Sequence, residues 1–313
     1  MTALAPDVAL ATPSRDLRGG LIFALASAMS FGMSGTLAKG LFESGWSPAA
    51  AVSARVVIAA IVLAVPTAIS LRGRAHLLVR NAPMVIAYGA IAVLGCQIAY
   101  FQAVAHMQVG LALLIEYIAP VPVIAWLWLR HGERPSRGTV IGGLIALVGL
   151  VPLLDLFSGG SVSLVGVAWA LLAMACVAVY FVLSAHSHSG LPPLALAGSG
   201  LIVAAVAVVF AALFGVIHLH ASTKDAVYGG HAVAWWVPLV LLGVVAAAIA
   251  YVTGVEASRR LGSRLASFVA IFEVLTAMVF AAVLLGEVPS TVQILGAVVV
   301  LAGIIAVKLG EPA

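Results

Sequence analysis

Three ionisable side chains stand in stretches that are otherwise apolar: Arg55, Glu116 and Glu273. A charged group at the centre of a membrane-crossing helix costs about 2.5–3.5 kcal/mol, so it persists where it faces a wet cavity, a partner or a ligand. A carboxylate in such a place binds an ammonium group or takes up a proton as the coupling ion. A guanidinium binds a carboxylate through its two-pronged fork. Glu116 lies four residues before Pro120, in Glu116-Tyr117-Ile118-Ala119-Pro120. Proline removes a backbone donor and so frees a carbonyl one turn earlier, beside the carboxylate. Glu116 is therefore read first as a ligand or proton site, and second as a structural acid, neutral or paired with Arg55. For Arg55 the preferred reading is an internal ion pair with Glu116 or Glu273. Binding a substrate carboxylate is the other reading, and both hold if substrate replaces the internal partner.

Weaker polar groups surround these three. Tyr117 and Tyr180 are candidates for pocket lining, whereas Tyr100, Tyr251 and Gln97 read as helix-to-helix glue, each bond contributing roughly 0.6–2 kcal/mol. Lys39, at the outer end of the first apolar run, is a gate candidate or a side chain snorkelling to the interface. Glu133 and Glu287 sit at helix junctions, where a carboxylate caps the next helix. His186, His188, His218, His220 and His231 read as solvated loop residues, with no metal and no cofactor expected, because a metal needs three or four converging ligands. Trp46, Trp126, Trp128, Trp235 and Trp236 lie near run ends, as an aromatic belt does. No nucleophile elbow, zinc-protease motif, phosphate-binding loop or dinucleotide fingerprint occurs, so no enzyme is expected and any transport must draw on a gradient.

The elements that must hold these residues are membrane helices. Of 313 residues, 64% are hydrophobic and 8% charged, with a mean hydropathy of +1.21; a soluble domain carries roughly 25% charged residues. A crossing takes roughly 20 apolar residues. Runs broken by charge, Gly or Pro predict an all-α membrane protein of ten transmembrane helices, near 20–39, 49–70, 82–104, 108–129, 136–154, 163–184, 192–215, 234–254, 263–285 and 290–307. Residues 1–17 read as a cytoplasmic tail with no cleavable leader. Cys96 and Cys176 both fall inside runs and imply no disulfide. The basic residues are scattered among short loops, which argues against a nucleic-acid partner and for a lipid bilayer. Twelve of the fifteen Lys and Arg fall on one side if the N-terminus is cytoplasmic, and only Lys39 and Lys224 on the other. That asymmetry predicts a multi-pass inner-membrane protein with both termini in the cytoplasm.

The two halves resemble each other. An offset of 154 carries Gly142 and Gly149 onto Gly296 and Gly303, Gly132-Glu133-Arg134-Pro135 onto Gly286-Glu287-Val288-Pro289, and Gly89 onto Gly243. An offset of 146 carries Gly20, Ala24 and Leu25 onto Gly166, Ala170 and Leu171. The units run over 18–155 and 163–308. Five helices per unit, an odd number, make the second unit upside down relative to the first: two inverted five-helix repeats, a common carrier design. The paired glycines, seven apart, put small residues on one helix face and permit close backbone approach.

With the two G-E-x-P boundaries, Pro120 and Arg55, the chain resembles the drug/metabolite transporter superfamily, in its ten-helix EamA type. Within it, GTLAKGLF (35–42), SARVVI (53–58), GLALLIEYIAP (110–120), ACVAVYFVLS (175–184) and RRLGSR (259–264) look closest to the threonine/homoserine exporter branch. The resemblance implies secondary export of small amino acids or related metabolites, with protons as coupling ion, by a monomer or a homodimer. Permeation of other metabolites or organic cations is the alternative, and a lipid-linked carrier flippase or membrane scaffold is the alternative of another class. At Val274 the chain departs from the family's Glu-Pro pair, leaving only Glu273, which questions a kink in the ninth helix.

Overall fold

The computed structural model describes residues 17–119, 136–153, 163–185, 189–270 and 272–310. Pro120, residues 132–135, Trp126, Trp128, His186 and His188 lie outside them. The described chain is mostly helical. In order it forms α1 (Leu17–Gly32), α2 (Ser34–Glu43), α3 (Pro48–Ser70), α4 (His76–Arg80), α5 (Ala82–Ala87), a π-helical segment (Tyr88–Gly95), α6 (Cys96–His106), α7 (Val109–Glu116), α8 (Arg137–Leu153), α9 (Leu164–Ala185) and α10 (Pro193–Leu213). A two-stranded hairpin follows, β1 (Ala226–Tyr228) and β2 (His231–Val233), then α11 (Trp236–Gly243), a second π segment (Val244–Ile249), α12 (Ala250–Val269), α13 (Phe272–Leu285) and α14 (Thr291–Gly310).

Among the described residues, six helical runs are long and apolar enough to cross a membrane: Arg18–Glu43, Pro48–Ser70, Ala82–His106, Leu164–Ser184, Pro193–Leu213 and Trp236–Leu261. Their outer faces are oily: Ile61, Val65, Phe210 and Ile249 are all exposed. Local chemistry sets the boundaries. Ser47 caps α3 by accepting from the Ala50 amide, and Pro48 occupies the first turn, where its missing N–H is harmless. Gly45, at φ +103°, ends α2 in a backbone conformation that other residues resist.

Packing follows the repeat. The last helices of the two halves, α8 and α14, pack on each other, and so do the second helices, α3 and α10. Pairs between unlike helices come twice: α1 packs on α12 and α13, and α9 packs on α6 and α7. Gly89 backs onto Gly200 and Val203 of α10, while its repeat mate Gly243 backs onto Arg55 and Ile58 of α3. The bond from Gln97 Nε2 to Tyr251 Oη (3.3 Å) joins residues 154 apart, the repeat offset. Two symmetry-related positions touch each other only near the symmetry axis, so this bond marks that axis.

Gly142, Gly149, Gly296 and Gly303 are all buried. A Cβ on Gly149 would lie 2.7 Å from the Val300 amide nitrogen, so the glycine permits backbone contact between α8 and α14. We expect Gly149→Val to destabilise the detergent-solubilised protein by about 1–3 kcal/mol of overpacking, read as an earlier thermal unfolding transition; an unchanged transition would exclude tight α8–α14 packing.

Four features differ from the expectations. The first run continues beyond 39 to Glu43, with a break at Met33, so Lys39 sits a turn inside the helix end. The RRLGSR stretch, expected between two helices, lies within α12, whose polar residues share one face. Val269 and Phe272 bracket an interruption although no proline is present; Ala270, its described turn residue, is the position onto which Glu116 falls at offset 154. Bonds spanning three residues tighten both breaks, Ala119 N to Glu116 O and Glu273 N to Ala270 O. The polar stretch 218–231 carries a hairpin strand and its turn. Gly229 and Gly230, at φ +56° and +80°, supply the doubly left-handed turn that short hairpins need.

Candidate functional site

Where the two halves meet at the axis, a cavity with about 540 Å³ of atom-free space, partly open to the outside, is lined from both repeats. Arg55, Glu116, Glu273, Tyr117 and Tyr180 all line it, together with Cys96, Gln97, Tyr100 and Tyr251. The two breaks deliver the acids. Glu116 is the last residue of α7, and Glu273 stands in the first turn of α13, where backbone N–H groups favour a negative charge.

Arg55 is almost wholly buried, at 2% exposure. Its Nη1 donates to Ser34 Oγ (2.5 Å), its Nη2 to the Ala246 carbonyl, and the guanidinium lies 5.3 Å from the centroid of the Phe101 ring. The expected ion pair with Glu116 or Glu273 is absent among the described residues. The reason is local: Ala246 lies in the second π segment, and the residue inserted there breaks the regular carbonyl ladder and offers a neutral acceptor. Arg55 thus ties α2 of the first half to the π segment of the second. Its Nε has no partner among the described residues.

Glu116 is 6% exposed. Its Oε1 accepts from Cys96 Sγ at 3.5 Å, and Oε2 has no partner among the described residues. Glu273 Oε2 accepts from Tyr117 Oη at 2.5 Å, so Tyr117 bridges the breaks of the two halves. Gln97 Oε1 and Tyr100 Oη are also buried without partners there. Phe31 and Tyr180 flank Tyr251 edge-on at 5.0 and 6.0 Å between ring centroids. The cavity therefore presents one cation, two acids, unspent acceptors and aromatic walls. It holds both signs of charge without joining them.

A second cavity, about 380 Å³ of atom-free space, adjoins the first toward the Leu17 end, between Ala24, Ser27, Gly254 and Ala257. At the other end, Lys39 forms an ion pair with Glu287, whose Oε2 also accepts from the Val109 amide at 3.1 Å. The expectation for Glu287 was a cap on the next helix; it caps α7 of the opposite half instead. The hairpin covers the same end: Tyr228 Oη donates to the Leu37 carbonyl (2.6 Å) and the Gly229 amide to Leu284 (2.8 Å). Burial pushes the Tyr228 phenol up, so it remains a donor.

Lys39 and Glu287 lie outside the central cavity, as do the four packing glycines. Ser34, Phe31 and Cys96 were not singled out from the sequence. Cys96, Gln97 and Tyr100, at i, i+1 and i+4, were the available signal, since polar groups at that spacing share one side of a helix. No group of three or more His, Cys, Asp or Glu able to hold a metal exists among the described residues, and His218, His220 and His231 are exposed.

Comparison with known proteins agrees with this architecture. One solved structure, described only as "Crystal structure of protein", superposes with a TM-score of 0.61 at 20% identity, over 93% of this chain and 97% of that one, a likeness of fold. No curated protein matches the chain. The model of the EamA-like transporter family matches twice, at residues 18–154 and 164–309, one match per half. Two family repeats, apolar helices of crossing length and a cavity on their shared axis place the protein among multi-pass membrane transporters: the chain belongs to the EamA-like transporter family.

Proposed function

We propose that the protein is a secondary active transporter that exports small amino acids or related zwitterionic metabolites across the inner membrane in exchange for protons. The observation that carries this reading is the central cavity, where Arg55 and Glu116 each keep a polar atom with no partner among the described residues and do not pair with one another. A zwitterion satisfies both at once: its carboxylate meets Arg55, its ammonium Glu116 with Gln97 and Tyr100 as further acceptors. Glu273 is the proton-coupling acid, and Tyr117 and Tyr180 line the path.

The proposed topology is ten transmembrane helices in two inverted repeats, 18–155 and 163–308, with both termini cytoplasmic. The exchange symmetry of the packing supports inversion. The described arginines near the Leu17 end (Arg18, Arg72, Arg74, Arg80) against Lys39 and Lys224 at the other support the orientation. A second reading, organic-cation transport, draws on the aromatic walls beside two acids. The test is counterflow in proteoliposomes with labelled amino acids and organic cations. Uptake of at least one zwitterion and none of the cations is expected; the reverse replaces the first reading by the second.

A further inference from the structure

The two cavities share five lining residues, Phe31, Tyr117, Tyr180, Phe181 and Glu273, which form a neck between them. Within this neck the Tyr117–Glu273 hydrogen bond, 2.5 Å, runs from the broken end of α7 to the first turn of α13, one repeat to the other. At the far end of α13 the Lys39–Glu287 ion pair also runs between repeats, and Glu287 holds the α7 amide of Val109 as well. α13 is thus a 14-residue rod, about 21 Å long, with a carboxylate tied to the first repeat near each end. We propose that these two ties are the alternating gates: Tyr117–Glu273 bars the central cavity from the Leu17 end, Lys39–Glu287 bars it from the Ser47 end, and α13 rocks between them.

Three observations support this assignment. Turn residues stand on both sides of the neck, 117–119 after α7 and 270 after α12, so the tie sits where the described backbone is not held by regular helix. Around Gly32 there is no slack: a Cβ there would lie 3.1 Å from the Glu273 carbonyl oxygen, so α13 is pressed onto α1 while the neck is shut. Both ties are made here at once, while the central cavity is only partly open to the outside. Passage toward either end requires breaking one tie while the other persists, which is what a rocking rod does and a uniform expansion does not. The inference rests on the transporter reading but not on the substrate.

Cys96 lines the central cavity and serves as a native reporter. In a Cys176→Ser background, a charged, membrane-impermeant methanethiosulfonate is applied to sealed vesicles of either orientation, without substrate. Tyr117→Phe, which keeps the ring and removes the hydroxyl, is expected to speed Cys96 labelling from the Leu17 face about tenfold, the effect of losing one charge-assisted bond, and to leave the other face unchanged. Glu287→Gln is expected to do the opposite. Glu273→Ala, which removes the acceptor, and Lys39→Gln report the same two ties if either first variant is not monodisperse. Unchanged labelling, or equal acceleration from both faces, overturns the gates. Sided labelling in a protein that counterflows no zwitterion leaves the gates standing and removes the substrate reading.

Discussion

Glu116→Gln is expected to abolish both counterflow and pH-driven transport, by about 10–100-fold, with expression and insertion intact. Glutamine has nearly the shape of glutamate, so the walls of the cavity stay in place. It lacks the charge that holds an ammonium group, so substrate no longer binds and nothing is left for a proton gradient to drive. Glu273→Gln separates the two roles. Its amide oxygen still accepts from Tyr117, so counterflow is retained, but with no proton to exchange, a pH gradient no longer drives accumulation. The measurement is uptake of a counterflow-competent zwitterion with and without an imposed pH gradient. Unaltered transport in both variants would remove the acids from the mechanism.

The second large effect is expected at Arg55, where function and folding coincide. Truncation to Ala strips charged donors from Ser34 and the Ala246 carbonyl, each such bond contributing about 1.5–3 kcal/mol, and removes the cation from the Phe101 face. It also leaves two buried acids without their nearby positive charge. Arg55→Ala should therefore lower thermal stability in detergent more than Glu116→Gln does. Arg55→Lys should recover only part of it, because an ammonium group cannot span Ser34 and Ala246 as a planar fork does. Equal stability of Arg55→Ala and wild type would mean that the guanidinium does not hold the repeats together.

The architecture was legible because lipid imposes a simple code. Apolar runs of crossing length mark helices, and small residues recurring at one offset mark a repeat. The cavity was legible in part for the same reason: Arg55, Glu116 and Glu273 are costly in apolar runs, and all three line it. Their partners were not legible. That Arg55 takes a carbonyl instead of a carboxylate depends on a π segment, and nothing in Val244–Ile249 beyond apolar character announces one. The boundary between the eighth and ninth runs falls beyond the charged stretch instead of within it, because residues 255–262 continue α12 as an amphipathic helix. The interruption before α13 forms without proline, so the departure at Val274 says little about it. The role of Glu287 was half legible: a carboxylate at a helix junction does cap a helix, but which helix depends on how the halves pack.

The cavity on the repeat axis is expected to bind a zwitterion between Arg55 and Glu116. Equilibrium titration of the purified wild type, Arg55→Lys and Glu116→Gln with the zwitterion that counterflows best measures this binding. One site per chain is expected in the wild type, with an affinity at least about tenfold weaker in each variant, the loss of one charge-assisted contact. Undiminished affinity in both variants would contradict it.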